Sequence, residues 1–300
     1  MKRLLLAVAA VAAFSSAVVA GEAQALTIGT YNVRFDVDKG DRTWAKRQPR
    51  VAQVVRRGGF DVVGFQEVRT DMWAGFTNAL PEYAWTDGTR LTNPIAYRPE
   101  RFTCLTNGLW SISEDPADLT RISWGSSSPR QWRWALLKER ATGRLLRVFS
   151  VHPDWKSAKA REMGMERIIA EAKKALAAGE HVVLLGDFNN EGLDDVPLRR
   201  AREVLRDARR TATDGHVGPV NTFNDYKDEA NCCIDHIFVS SDFKVSRTRT
   251  HDERPNGGFP SDHWAFSARI EWDSVPLPAD KQLADGPDPK GAYLRALKAK

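Results

Sequence analysis

Asp187 and Asn189 follow directly on the apolar run Val182-Val183-Leu184-Leu185, so a carboxylate and an amide stand at the mouth of what reads as a buried strand. Open α/β sheets carry their chemistry at such strand ends. Taken alone, Gly186-Asp187-Phe188-Asn189 reads better as an Asx turn closing a strand. It is not alone. Asn32 in Thr30-Tyr31-Asn32-Val33-Arg34, Glu67 in Gly64-Phe65-Gln66-Glu67-Val68, and Asp262-His263 in Pro260-Ser261-Asp262-His263-Trp264 occupy the ends of other strand-like runs. Glu67, Asp187, Asn189 and Asp262 are hard oxygen donors without thiolates or clustered imidazoles, a set that suits Mg²⁺ or Mn²⁺, with Ca²⁺ also compatible. Acids brought together repel one another, and a divalent cation offsets that repulsion.

Imidazoles complete the inventory. Asp235-His236 and Asp262-His263 each put an acid beside a histidine in sequence. Neighbours on a strand face opposite ways, so the expected partnership runs across strands, Asp235 against His263. Such a pair would orient the ring and support its protonated form, with His152 as a second imidazole. The reaction that fits is in-line attack of water on a phosphoric ester. A metal ion neutralises the phosphate and leaving oxygens, imidazoles and amides hold the equatorial oxygens, and a carboxylate orients the nucleophile.

These groups need elements to position them. Leu26 to Phe35 alternates into a first strand; Trp44 to Arg57 carries Val51, Val54 and Val55 at helical spacing before Gly58-Gly59; Asp61 to Val68 is a second, buried strand. This is a β-α-β opening. Short strands follow from Pro94 to Ser111, and a hairpin is expected from Arg133 to Glu139 and Leu145 to His152 around Thr142-Gly143. Ala158 to Ala177 is the clearest helix, with Met165, Ile168, Ile169, Ala172 and Leu176 facing inward and Gly179 ending it. Asn221-Thr222-Phe223, Ile234 to Val239 and Trp264 to Ile270 read as the last strands. So many amphipathic strands with few helices fit two mixed sheets packed face to face, with helices outside.

The chain of 300 residues is 42% hydrophobic, enough core for one large domain, and no composition break argues for two. Residues 1–25 read as a secretory signal: Lys2 and Arg3, an apolar stretch from Leu4 to Val19, then small residues permitting cleavage after Ala20 or Ala25. Export to the periplasm or the extracellular medium is expected. The catalytic domain spans 26–272, and 273–300 is a Pro-rich linker with a basic tail. No later segment has the roughly 20 apolar residues of a membrane span, so stable membrane insertion is not expected, and neither is oligomerisation. The net charge of +5, part of it in the leader, permits a polyanionic partner without requiring one. Arg199, Arg200, Arg202, Arg206, Arg209 and Arg210 read as a solvated helix face. Cys104, Cys232 and Cys233 are too few for a disulfide scaffold. If one pair forms, Cys104 with either of the adjacent two is the geometrically easier one.

The motifs Tyr31-Asn32-Val33-Arg34, Gln66-Glu67-Val68-Arg69, Ile95-Ala96-Tyr97-Arg98-Pro99 with Arg101-Phe102, Ser150-Val151-His152, Gly186-Asp187-Phe188-Asn189, Ile234-Asp235-His236-Ile237-Phe238-Val239 and Ser261-Asp262-His263 occur in that order. In this the chain resembles the endonuclease/exonuclease/phosphatase superfamily of deoxyribonuclease-I-like enzymes, exonuclease-III-like repair nucleases, sphingomyelinases and inositol phosphatases. The resemblance implies a four-layer α/β/β/α sandwich with its site at one edge of the two sheets. It implies Glu67 as principal metal ligand with Asn32 nearby and Asp262 at the metal. Asp187 and Asn189 would surround the nucleophile and phosphate, Asp235 would pair with His263, and His152 would meet the phosphate. Arg69 and Arg98 resemble the arginines with which the deoxyribonuclease-I-like branch meets DNA phosphates.

The segment from Trp124-Gly125 through Ser128-Pro129-Arg130 to Trp134-Ala135, with Asn221-Thr222-Phe223, resembles a secreted bacterial branch. That branch commonly reads His-Leu-Asp-His where this chain has His152-Pro153-Asp154-Trp155, so one imidazole is missing, and Thr92-Asn93-Pro94 replaces a usual Gly-Glu step. Trp132 and Trp134 sit at alternate positions and read as core, whereas Arg130 is a candidate phosphate ligand. The expected function is a divalent-metal-dependent phosphodiesterase acting on nucleic acid. The alternatives are a phospholipid or sphingomyelin phosphodiesterase or a small-molecule phosphatase and, from another class, an inactive binding module. A lipid enzyme should expose an aromatic hairpin able to enter a membrane, and no long apolar loop stands out.

Overall fold

The computed structural model describes residues 25–86 and 92–272, so the tail and all but Ala25 of the leader expected from the sequence lie outside the described residues. Along the chain run β1 (Leu26–Asn32), α1 (Trp44–Gly58), β2 (Val62–Gln66), α2 (Thr70–Ala79), β3 (Ala84–Trp85), β4 (Ile95–Tyr97), β5 (Phe102–Ser111), β6 (Gln131–Glu139), β7 (Leu145–Val151), α3 (Ala158–Ala177), β8 (His181–Asp187), α4 (Val196–Arg202), β9 (Arg206–Asp207), α5 (Ala208–Thr211), β10 (His216–Val217), β11 (Asp235–Val239), β12 (Phe243–His251) and β13 (Ala265–Trp272). The two principal helices stop and start where the sequence expects. Gly59 closes α1 in the left-handed conformation (φ 59°), and the Ser157 side chain caps α3 by accepting from Ala160 N–H.

One sheet has the order β10-β12-β13-β1-β2-β4-β3 and the other β5-β6-β7-β8-β11-β9. Both are mixed: β1 runs parallel to β2 and β7 parallel to β8, while β6 and β7 form the expected antiparallel hairpin. The alternation of side chains along a strand builds three apolar layers. In β8, Val183 and Leu185 join Ile28, Val62, Val148 and Phe266 between the sheets. Val182 and Leu184 face the other way, onto Met165, Ile168 and Ala172 of α3. Across the first sheet, Val63 and Phe65 meet Val51 and Val55 of α1 and Met72 and Phe76 of α2. A strand covered on both faces has no polar side, which is why Val182 to Leu185 is a continuous apolar run. Each of those fully buried aliphatic side chains contributes about 1.5–3 kcal/mol relative to exposure. Three apolar layers separate four structural ones, and the fold is the α/β/β/α sandwich.

Two parallel crossovers, β1-α1-β2 and β7-α3-β8, bring the C-terminal ends of four strands to one edge. The antiparallel strands β11 and β13 begin at that same edge, with Asp235 in register with Asp187 and Thr30 with Phe266. The sheets approach closely at Gly64. A Cβ on Gly64 would fall 2.2 Å from Leu185 Cδ1 and 2.8 Å from Ser150 Oγ. Next to that contact, the buried Gln66 donates to Ser150 Oγ (3.3 Å) and accepts from Thr30 Oγ1 (3.3 Å), tying one sheet to the other.

Several expectations are corrected. Asn221-Thr222-Phe223 is not a strand; Phe223 makes isolated bridges to Cys232 and His263. The arginine-rich stretch is not one solvated helix, because Arg206 lies on β9 and is buried. Cys104 is a free thiol on β5 beside Thr106 and Asn107, so the pairing considered for it is not made, while Cys232 and Cys233 are buried on the loop before β11. Trp132 is core, and Trp134 packs half-buried against Trp110. Among the described residues no helix is long and apolar enough to cross a membrane.

Candidate active site

Each strand of the shared edge delivers one polar group where its apolar run stops. Asn32 ends β1, Glu67 follows β2, His152 follows β7, Asp187 ends β8 and Asp235 starts β11. Asp262 and His263 precede β13. The buried Asn32 amide joins two of the acids, donating to Glu67 Oε1 (3.2 Å) and Asp187 Oδ2 (3.0 Å). Its main-chain oxygen accepts from Ser261 Oγ (2.7 Å), which brings Asp262 alongside. Glu67 Oε2 accepts from Phe35 N–H (3.0 Å), and Asp187 Oδ1 from Asn189 N–H (2.9 Å).

Both imidazoles converge on Asp187. His152 Nε2 lies 3.5 Å and His263 Nε2 3.7 Å from Asp187 Oδ2, and His263 Nδ1 is bonded to Asp235 Oδ2 at 2.8 Å. The cross-strand pairing expected for Asp235 is the one formed. Burial would strip His263 of its proton, but Asp235, by charge and by hydrogen bond, with Asp187 and Asp262 behind it, pushes the ring up to about 10. His152 has the opposite fate. Burial and then the positive charge of Arg130 bring it down to about 3, against the opposing pull of Glu67. At neutral pH one ring is therefore cationic and the other neutral.

The acids divide as well. Burial lifts Asp187 well above the ordinary carboxylate value; the His263 charge opposes this and Asp235 adds to it. Burial also raises Asp262, with His263 opposing and Glu67 adding repulsion. Glu67 moves down. Burial acts against ionisation there, but is outweighed by the flanking imidazoles of His152 and His263, by the Phe35 N–H and by the Asn32 amide. Because His152 is neutral, His263 supplies the charge. Backbone strain gathers at the same place: Arg34 (φ 55°), Glu67 (φ 64°) and Asn189 (φ 48°) all adopt the left-handed conformation, costly for a residue with a Cβ.

These groups open into a bowl of about 670 Å³. Glu67, Asp187, Asn189, Asp262, His152 and His263 form its polar floor. Asn32 and Asp235 stand fully buried behind it. Arg69 lines the bowl with its guanidinium 4.1 Å from the centre of the Phe35 ring, and Arg130 lines it 3.5 Å from Asp154 Oδ2. Arg98 is not at the site. Since β4 runs antiparallel to β2, the residue after Tyr97 lies at the start of β2, where Arg98 N–H meets Asp61 O and its guanidinium stacks 4.4 Å from Tyr83. Glu67 is at the other end.

Two arginines outside the expected set hold the floor in place. Arg34 Nε bridges Asp38 Oδ2 (3.3 Å) and Asp262 Oδ2 (3.7 Å). Arg47, fully buried in α1, sends its guanidinium to main-chain oxygens: Val33 O (2.6 Å), Arg34 O (2.8 Å), Arg42 O (2.6 Å), and more weakly Pro260 O (3.2 Å) and Phe35 O (3.4 Å). It fastens the segment after β1 to the segment carrying Ser261 and Asp262. The sequence held a signal for it, because Arg47 falls on the apolar stripe of α1 with Val51, Val54 and Val55, where a solvated arginine has no place.

The donor set fits a hard divalent cation. Glu67, Asp187 and Asp262, with the Asn32 amide, offer oxygen ligands, and the mutual repulsion of Glu67 and Asp262 is what such an ion relieves. The buried trio Asp187, Asp235 and His263 is close enough to hold a metal. The bond from Asp235 to His263 Nδ1 instead makes it an acid–imidazole–acid chain, with oxygen ligation left to Glu67, Asp262 and the Asn32 amide.

A two-sheet α/β sandwich with acids and imidazoles at one edge defines a phosphoric-ester hydrolase. The Endonuclease/Exonuclease/phosphatase family profile matches residues 29–263, and the chain belongs to that family. Among solved structures it is similar to a Bacteroides thetaiotaomicron endonuclease/exonuclease/phosphatase family protein, with 27% identity, TM-score 0.75, and coverage of 83% of this chain and 98% of that one. It is similar to a mannosyl-6-phosphatase of Bacteroides thetaiotaomicron, with 27% identity, TM-score 0.74, and coverage of 82% and 100%. D. rerio TDP2, complexed with a single-strand DNA product, shares the fold at 17% identity, TM-score 0.65, and coverage of 82% and 99%. No curated protein matches the chain.

Proposed function

We propose that this chain is a divalent-metal-dependent phosphoric-ester hydrolase that takes the phosphate of a small ester end-on into the bowl. The observation that carries the reading is the convergence of Asn32, His152 and His263 on Asp187 Oδ2, with Glu67 held by the same amide. Glu67, Asp262 and Asn32 would hold Mg²⁺ or Mn²⁺, which would supply charge neutralisation at the phosphate. The remaining chemistry belongs to the chain. Asp187, lifted by burial toward the range where a carboxylate accepts protons, orients and deprotonates the attacking water. His263, kept cationic by Asp235, donates to a phosphate oxygen as negative charge builds there. Arg130, Arg69 and the Asn189 amide hold the other oxygens.

Three observations favour a small ester. The bowl has the size of small-ligand pockets, roughly 300–1,000 Å³. The position of Arg98 removes one cation from the row a polyanion would need. The likeness to the mannosyl-6-phosphatase points the same way. Cleavage of nucleic acid is the second reading, favoured by Arg34, Arg69 and Arg130 around one rim. Export is part of the proposal and rests on residues 1–25. The test is a screen of the purified enzyme with Mg²⁺ or Mn²⁺ against sugar phosphates, nucleotides, plasmid DNA, RNA, sphingomyelin and an aryl phosphate. Turnover of monoesters alone supports the first reading, and cleavage of DNA or RNA the second. No hydrolysis of any substrate overturns both.

A further inference from the structure

Trp155 is half exposed (51%), the only tryptophan among the described residues left open to solvent, and it lines the mouth of the bowl. It belongs to none of the three apolar clusters. It stands three residues after His152, so its Cα lies at most about 11 Å from that of His152. The short segment between them runs along the phosphate end of the bowl, where Asn189 Nδ2 donates to Pro153 O (3.2 Å).

An exposed indole on a loose loop would mean little, but this loop is fastened on both sides. The buried Asp154 carboxylate accepts from Lys156 N–H (2.9 Å), Ser157 N–H (2.8 Å), Ser127 N–H (2.9 Å) and Ser127 Oγ (2.5 Å). The fully buried Arg161 guanidinium donates to Asp154 O and Trp155 O, each at 3.2 Å. The backbone of Trp155 is therefore fixed while its ring is left to solvent. Lys156 Nζ lies 4.8 Å from the ring centre, and Arg130 is tied to the same Asp154. A solvent-open indole on a fixed backbone, with an ammonium over its ring and Arg130 nearby, next to the proposed phosphate site, matches an anionic ester whose leaving group carries a planar aromatic ring.

We propose that Trp155 is a specificity-determining platform on which the base of a nucleoside monophosphate stacks while its phosphate occupies the bowl. This rests on the hydrolase reading and names the substrate class of that site. An indole that merely plugged the rim would treat all esters alike, whereas a platform separates esters with a ring from those without.

The experiment compares kcat/KM for adenosine 5′-monophosphate, ribose 5-phosphate and glycerol phosphate in the native enzyme, Trp155→Ala and Trp155→Phe. Native enzyme is expected to prefer the nucleotide over ribose 5-phosphate at least about tenfold. Trp155→Ala brings that ratio within about twofold of unity through KM, and Trp155→Phe restores most of it. An unchanged ratio in Trp155→Ala, or an equal loss on all three esters, overturns the proposal. Calorimetric binding of adenosine 5′-monophosphate to Asp187→Asn protein, with and without Trp155→Ala, separates the two layers. If the native enzyme hydrolyses nothing yet Asp187→Asn binds the nucleotide in a Trp155-dependent way, the hydrolase reading falls and the platform stands. No Trp155-dependent binding overturns the platform.

Discussion

His263 and Asp235 share a hydrogen bond of 2.8 Å, imidazole Nδ1 to carboxylate Oδ2, formed entirely inside the protein. The pair is bistable in principle, since burial favours the neutral ring and the carboxylate favours the cation. The cation wins, because Asp235 holds it by charge and by hydrogen bond, with Asp187 facing the other ring nitrogen at 3.7 Å and Asp262 adding to the field. A histidine raised in this way gives stability that is complete below its unfolded value, near 6.5, and is lost as pH rises through about 10.

Asp235→Asn keeps the shape and removes the charge. The ring then has no adequate compensation for burial and releases its proton at much lower pH. We expect activity at pH 8 to fall about 10²-fold, with the basic limb of the pH–rate profile moving down toward or below pH 6.5. NMR titration of the His263 ring should follow the same displacement. A variant that loses activity with an unmoved basic limb would show that Asp235 acts on the fold and not on the proton.

Arg47→Met tests whether the floor depends on its carbonyl clamp. The substitution keeps apolar bulk on α1 and abandons buried main-chain oxygens on two site segments. A cost of about 3 kcal/mol or more is expected in urea unfolding. Arg47→Lys should recover little of it, because one ammonium cannot span oxygens disposed around a planar guanidinium. Metal affinity, read by calorimetry, should weaken in any folded variant, since Asp262 and the Phe35 N–H on Glu67 move with those segments.

What was legible in the sequence is what local rules carry. The apolar run of β8 ending in Asp187, the Val51, Val54 and Val55 stripe of α1, and the β6–β7 hairpin all follow from periodicity and turns. So did the converging strand ends, because parallel crossovers force successive C-terminal ends to one edge. Arg98 was misplaced because its motif says nothing about strand direction, and only the antiparallel register of β4 against β2 sends it to the far end. Arg206 was misread as helical surface because a two-residue strand leaves no period to detect. Arg47 belongs to no motif, and only its place on the apolar stripe of α1 distinguishes it.

His236 is one of the groups that limit the fold in acid. Its ring is buried, with Nε2 at 3.2 Å from both Asn190 Oδ1 and Cys233 O, and burial, reinforced by Arg209, takes it down to about 3. For a depressed histidine the unfolded chain binds the proton first, so stability is complete above about 6.5 and is lost as pH falls below it. At pH 5 this one site removes about 2 kcal/mol. Urea unfolding at pH 7 and pH 5 should show His236→Gln losing less than the native protein by about that amount. Equal losses would mean the acid sensitivity comes from other groups.

Glu67 lets backbone and chemistry be separated. It holds φ at 64°, so an alanine there keeps the strain and loses the carboxylate, whereas a glycine loses both. Glycine normally destabilises relative to alanine; here Glu67→Gly should exceed Glu67→Ala by about 1 kcal/mol in urea unfolding. Mg²⁺ adds a second axis. At a hundred times its dissociation constant a ligand stabilises the native protein by about 2.7 kcal/mol. That gain should appear in the native enzyme, disappear on adding a chelator, and be absent from Glu67→Gln, Glu67→Ala and Glu67→Gly alike. A variant without the carboxylate that still gained stability from Mg²⁺ would place the ion elsewhere. A Glu67→Gly protein no more stable than Glu67→Ala would show that the left-handed turn after β2 carries no strain of its own.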